Sequence, residues 1–123
     1  MGNQGGPAVR FLTGLIRSAQ GIVRWPAARQ FDLDVTDQWV TATLARFGDC
    51  SYRRIEAEVQ AIRGVASAQV VSSILKLEAA GVIERGPVQG LIAEARLFRL
   101  TATGRRVGRL LPKEPRSPTI FYL

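Results

Sequence analysis

The sequence contains no histidine and a single cysteine, Cys50. Without histidine there is no Ser-His-Asp or Cys-His nucleophile and no histidine-based zinc site. One cysteine cannot staple a domain, so nothing points to an oxidising compartment, and the expected location is cytoplasmic. Long apolar runs are missing too. None approaches the roughly 20 residues of a membrane span. The apolar stretch after Arg10 is broken by Arg17, which argues against a signal peptide. Gly2 is not a myristoyl acceptor, because the position that must be Ser or Thr is Gly6. No cofactor, metal or membrane anchor is expected, and no catalytic spacing is found, so an enzyme is not expected.

Acidic residues are scarce at both ends. Residues 1–30 hold four arginines and no acid, residues 31–84 hold five bases and eight acids, and residues 85–123 hold eight bases and two acids. The 123 residues, one domain's worth, carry a net charge of +7. A basic chain with a basic C-terminal third points to a polyanionic partner, although surface arginine also serves solubility.

Residues 8–24 read as a helix. Phe11, Leu12, Leu15, Ile16, Ala19, Ile22 and Val23 fill one arc, and Arg10, Thr13, Arg17, Gln20 and Arg24 fill the other. Gly14, Ser18 and Gly21 line a seam between them that suits close approach of another helix. Trp25-Pro26 ends the segment, because a residue before proline is pushed out of the helical region. Such a basic amphipathic helix packs on the domain or on a second subunit, lies on a membrane surface, or serves as a transit peptide. Packing is the preferred reading.

Thr36 or Asp34 can cap a second helix running to about Phe47, with Val40, Leu44 and Phe47 as its buried stripe and Gly48 as its stop. The next helix starts after Ser51, with Ile55, Val59 and Ile62 at helical spacing and Gly64 at its end. Another starts at Ser67, buries Val70, Ile74 and Leu77, and ends at Gly81. Val82 to Arg85 and Arg96 to Leu100 are strand candidates, with a turn at Gly86-Pro87. Thr101 caps a short helix, Ala102 to Leu111, closed by Pro112. The tail from Lys113 is extended, and its apolar end, Thr119 to Leu123, is expected to dock.

Two helices joined by a short turn, then a two-stranded hairpin, are wired as a helix-turn-helix with a wing. The stretch Leu77-Glu78-Ala79-Ala80-Gly81-Val82-Ile83 followed by Arg85, and the wing exit Phe98-Arg99-Leu100-Thr101-Ala102-Thr103-Gly104-Arg105, resemble the winged-helix regulators of the MarR and PadR type over about residues 34–111. The resemblance implies a mainly α fold with a small β-hairpin (α+β), here with an extra N-terminal amphipathic helix. Three segments follow: 1–30, the N-terminal tail and amphipathic helix; 31–112, the winged helix domain; and 113–123, the extended tail.

Two departures are visible. The wing tip, Val88-Gln89-Gly90-Leu91-Ile92, is apolar where many such regulators are basic. The long C-terminal dimerisation helix is missing, which leaves Phe11, Leu12, Leu15, Ile16, Ile22, Val23 and Phe121 as dimerisation candidates.

Base-reading candidates are Ser67, Gln69, Ser72, Ser73 and Lys76, short or amide side chains and one cation taken to face outward. The competing reading is a merely solvated helix face. Phosphate-binding candidates are Ser51, Tyr52, Arg53 and Arg54 at a helix start, Arg85, Arg96 and Arg99 on the hairpin, and Arg105 and Arg106 on the last helix. Each arginine has a competing use in an ion pair with Glu56, Glu58, Glu84 or Glu94. A thiolate at Cys50 would be favoured by the helix start and by Arg53 and Arg54, so a redox switch is one reading and a buried small hydrophobe the preferred one.

The function expected is a dimeric, sequence-specific DNA-binding transcriptional regulator. Residues 67–76 enter the major groove of double-stranded DNA, the hairpin follows the backbone, and a homodimer reads half-sites about one turn apart. The alternative is a winged-helix module that binds a protein partner through the wing tip or the C-terminus.

Overall fold

Asp34 starts the first helix by a reciprocal cap: its carboxylate accepts from the Asp37 N–H at 2.8 Å, and the Asp37 carboxylate accepts from the Asp34 N–H at 3.0 Å. The structure, a computed structural model, describes residues 28–88 and 96–123. Its elements are β1 (Gln30–Leu33), α1 (Val35–Phe47), β2 (Cys50–Ser51), α2 (Tyr52–Arg63), α3 (Ser67–Ala79), β3 (Ile83–Val88), β4 (Arg96–Leu100), α4 (Ala102–Leu110) and β5 (Thr119–Tyr122). The amphipathic helix expected over residues 8–24, with its dimerisation candidates Phe11 to Val23, lies outside the described residues, as does the wing tip from Gln89 to Ile92.

Helices α1, α2 and α3 pack around Val40, Leu44, Ile55, Val59, Val70, Ile74 and Leu77, all buried. Beside them runs an antiparallel sheet in the order β2-β4-β3, which adds Ile83, Phe98 and Leu100 to the same core. Val107 of α4 closes it. Two expected core positions are not buried. Phe47 lies at the exposed end of α1, where the guanidiniums of Arg54 and Arg46 cover its ring at 4.4 and 5.1 Å. Ile62 sits in the last turn of α2 and lines an open groove with Trp39 and Pro115.

The turn expected at Gly86-Pro87 is instead a bulge within β3. Arg85 faces Phe98 and Val88 faces Arg96, so the register shifts across Gly86 and Pro87. A bulge tolerates proline because no ladder bond is needed from that nitrogen.

The C-terminal segment docks as strand β5, antiparallel to β1 with Phe31 opposite Phe121. Both rings are buried in this chain's own core. Phe121, expected at a dimer contact, is therefore used within the chain's own core. Two α1 side chains tie the approach to β5: Gln38 Nε2 donates to the carbonyls of Leu33 at 3.1 Å and Ser117 at 2.8 Å, and Trp39 Nε1 donates to Pro115 at 3.1 Å. Arg29 and Leu123 extend the pairing with two backbone bonds of 2.6 and 2.9 Å.

The junction that sets the wing against α3 is built from the motifs singled out above. Gly81 takes φ +77°, the Val82 N–H donates to Leu77 O at 2.9 Å, and the Gly81 N–H donates to Glu78 O at 3.1 Å. This is a Schellman stop, with its hydrophobic contact supplied by buried Leu77 and Val82. Thr101 joins α4 to the same point: its N–H donates to Val82 O at 3.0 Å, its hydroxyl donates to Gly81 O at 2.5 Å, and its oxygen accepts from the Gly104 N–H at 3.0 Å. Gly104 has to be glycine, because a Cβ there would overlap the Val82 carbonyl.

Candidate nucleic-acid interface

Helix α3 turns Val70, Ile74 and Leu77 inward, and with them Ser73. At about 100° per residue, position 73 falls about 40° beyond Leu77, at the edge of the stripe that faces α1. Ser73, expected to face outward as a base reader, is buried and donates to Asp37 Oδ1 at 2.5 Å. Lys76 Nζ donates to the other oxygen of the same carboxylate at 2.6 Å. Asp37 is fully buried and accepts from Ser73, Lys76 and the Asp34 N–H. The hydrogen bond to Asp37 raises the Lys76 pKa above its ordinary 10.5, against a smaller opposing effect of desolvation.

The other polar candidates on α3 are also engaged, Ser72 excepted. Gln69 Oε1 accepts from the Ala66 N–H at 3.3 Å, completing the helix start in place of a capping side chain. Ser67 Oγ accepts from Gln60 Nε2 at 3.3 Å. Hydrogen bonds from the hydroxyls of Ser67 and Tyr52 hold the Glu56 carboxyl below its ordinary range. Gln69, Ser72, Ser73 and Lys76 do share one shallow concavity of about 210 Å³ with Asp34, Thr36 and Asp37. It lies on the flank of α3 that faces the start of α1.

Opposite the buried stripe, within about 50° on the helical wheel, stand Ala68, Ser72, Leu75 and Ala79, with Val71 farther round. All five are exposed, Val71 and Leu75 at 42% and 52%. Of these five, Ser72 alone is among the expected base-reading residues. The sequence signal of this outer ridge is simple: it is the set one half-turn away from Val70, Ile74 and Leu77.

The phosphate candidates divide. Ser51 caps α2, its Oγ accepting from the Arg54 N–H at 3.2 Å, and the Tyr52 hydroxyl donates to Glu56 at 2.9 Å. Arg54 pairs with Glu58 at 3.4 Å, Arg85 with Glu78 at 2.9 Å and Arg99 with Glu84 at 2.9 Å. These three take the competing ion-pair use, Arg54 and Arg99 with acids expected for it and Arg85 with Glu78, which was not among them. Among the described residues, Arg53, Arg96, Arg105 and Arg106 make no ion pair, and Arg105 donates to the Leu100 carbonyl at 3.3 Å.

Cys50 is buried in β2 opposite Phe98. Desolvation raises its pKa above 9.0 and outweighs the opposing Arg54 charge. The side chain sits in the core, as the preferred reading of a buried small hydrophobe has it, and the thiolate of the redox reading is not favoured. Among the described residues no group of three potential metal ligands forms, and no helix is long and apolar enough to cross a membrane.

No family model matches the chain, and no curated protein matches it. Among solved structures it is similar to the crystal structure of a zinc-responsive MarR family member, Lactococcus lactis ZitR, with a TM-score of 0.55 and 18% identity over 82% of this chain and 68% of that chain. At that identity the likeness is one of fold. The fold is an α+β winged helix, with α2 and α3 as the helix-turn-helix and β3 and β4 as the wing.

Proposed function

We propose that the chain is a sequence-specific DNA-binding transcriptional regulator in which α3 enters the major groove of double-stranded DNA and the wing follows the backbone. The observation that carries this reading is the mounting of α3. Its inner face is locked to α1 by the buried Asp37, while its outer ridge is exposed next to a wing joined to it at Gly81. A helix held at fixed rotation with a bare face and a β-hairpin alongside is what a groove-reading module needs. Arg53, Arg96, Arg105 and Arg106 supply charge for phosphates, and the chain's +7 favours a polyanion. The protein acts on cytoplasmic DNA as a homodimer, with the segment before residue 28 as its contact. Its role is binding rather than catalysis.

The zinc response named for the similar structure is not carried over. This chain has no histidine and one cysteine, and that cysteine is buried.

Fluorescence anisotropy with random-sequence and genomic duplexes tests the reading. Binding at low salt with a steep salt slope supports it, and absence of binding at low salt overturns it. The exposed Val71 and Leu75 favour a second reading, a winged helix that docks on a protein. A stable partner in a pulldown, with no DNA affinity, would select that alternative.

A further inference from the structure

The outer ridge of α3 is poor in hydrogen-bonding groups. Ser72 provides the one hydroxyl among Ala68, Val71, Ser72, Leu75 and Ala79. Much of the hydrogen-bonding capacity beside it is used within the fold: Ser67 Oγ accepts from Gln60, Gln69 holds its own helix start through Oε1, Ser73 donates to Asp37, and one N–H of the half-exposed Lys76 does the same. A hydrogen-bond code for base edges therefore has little to work with. The ridge does offer two branched aliphatic side chains beside small residues. Ala68 and Ser72 let the helix backbone come close, and Val71 and Leu75 reach out from it.

In the major groove one base feature matches that chemistry, the C5-methyl group of thymine. The fit extends to charge and size. Glu78, the one acid of α3, is neutralised by Arg85, so the helix meets phosphates without net repulsion. A helix about 10–12 Å across fills a groove about 12 Å wide.

We infer that α3 reads thymine by its methyl group, with Leu75 and Val71 packing on the methyls and Ala68 and Ser72 setting the distance. The inference rests on the DNA-binding reading above. It names what that surface recognises: thymine-rich half-sites, read by shape and apolar contact rather than by Gln69 or Lys76.

The test separates the two readings. A random-sequence duplex pool is selected on the full chain, and the enriched duplex is remade with deoxyuridine in place of thymidine, which removes the methyl and keeps the pairing. The enriched sites are expected to concentrate thymine. Each critical replacement should weaken binding about fourfold, the worth of one buried methyl. Leu75→Ala should lose most of that sensitivity and keep its salt dependence. Leu75→Gln, also at an exposed position, serves as a second variant, with circular dichroism confirming the fold of both.

Equal binding to the deoxyuridine duplex, or undiminished sensitivity in Leu75→Ala, overturns methyl reading and leaves DNA binding in place. Enrichment of no duplex overturns both. If Leu75→Ala alters sedimentation of the free protein instead of methyl sensitivity, the ridge is a protein contact and the inference is wrong.

Discussion

Asp37 and Lys76 lie 39 positions apart in the chain, and their charged groups meet at 2.6 Å. The carboxylate is buried and the lysine side chain is about half exposed, at 48%. This pair, with Ser73, fixes the rotation of α3 against α1. It also removes Lys76 from the set of free cations on α3.

Replacing either partner should destabilise the fold unequally. Asp37→Ala strips three hydrogen bonds and should cost about 3 kcal/mol. Lys76→Met should cost nearer ~1 kcal/mol, because the lysine head is partly solvated. Because the folded Lys76 pKa is raised, the stabilisation from the pair is complete below the ordinary lysine value of 10.5 and fades as pH rises through the raised one. Urea unfolding of wild type and Lys76→Met across that range should converge at the alkaline end.

Two glycines of α4 should respond in opposite directions. Gly104→Ala drives a methyl into the Val82 carbonyl and should cost about 3 kcal/mol. Gly108→Ala meets Ala45 Cβ at an ordinary 3.5 Å and should gain ~0.5 kcal/mol through helix propensity. Thermal unfolding of both variants checks the pair.

Cys50 should resist alkylation. Burial raises its pKa above 9.0, so at neutral pH it is a protonated thiol inside the core. Iodoacetamide labelling should be slow in buffer and rapid in denaturant, and peroxide should leave DNA affinity unchanged. Fast native labelling would restore the redox reading.

The β1–β5 ribbon should contribute to global stability. Phe121→Ala removes a ring buried in the shared core and should cost about 3 kcal/mol. An unchanged urea midpoint would mean that residues 113–123 are an appendage.

Phosphate contacts should follow the ion-pair pattern. Arg53→Ala and Arg106→Ala should each lower the salt slope of DNA binding by about 1. Arg54→Ala should change it less, because Glu58 already neutralises that guanidinium. Titrations at several salt concentrations distinguish the two sets.

The helices were readable because their signals are local. Asp34, Ser51 and Thr101 cap, Gly48, Gly64 and Gly81 stop, and aliphatic stripes sit between them. Strands β1 and β5 were not readable as a pair. Each is four residues long, and what joins them is register and the side chains of Gln38 and Trp39, which bond to carbonyls more than 70 positions away. The winged-helix order was legible from the Leu77–Ile83 and Phe98–Arg105 stretches, whose roles prove to be a helix stop and a helix start meeting at Gly81 and Val82. The site was half legible. Choosing polar side chains on α3 took Ser73 and Lys76 as outward-facing and passed over the exposed Ala68, Val71, Leu75 and Ala79, because Ser73 and Lys76 answer to an aspartate on another helix.

The backbone bonds between Arg29 and Leu123 close the described body into a ring. Its two ends leave side by side, so the order of elements is not dictated by where the chain opens. A circular permutant that joins 123 to 28 through a short linker and opens between α1 and β2, at Gly48-Asp49, would keep every pairing described except the local stop at Gly48. The stretch from α3 through the wing to α4 must stay continuous, because its parts are fastened to one another at a single point.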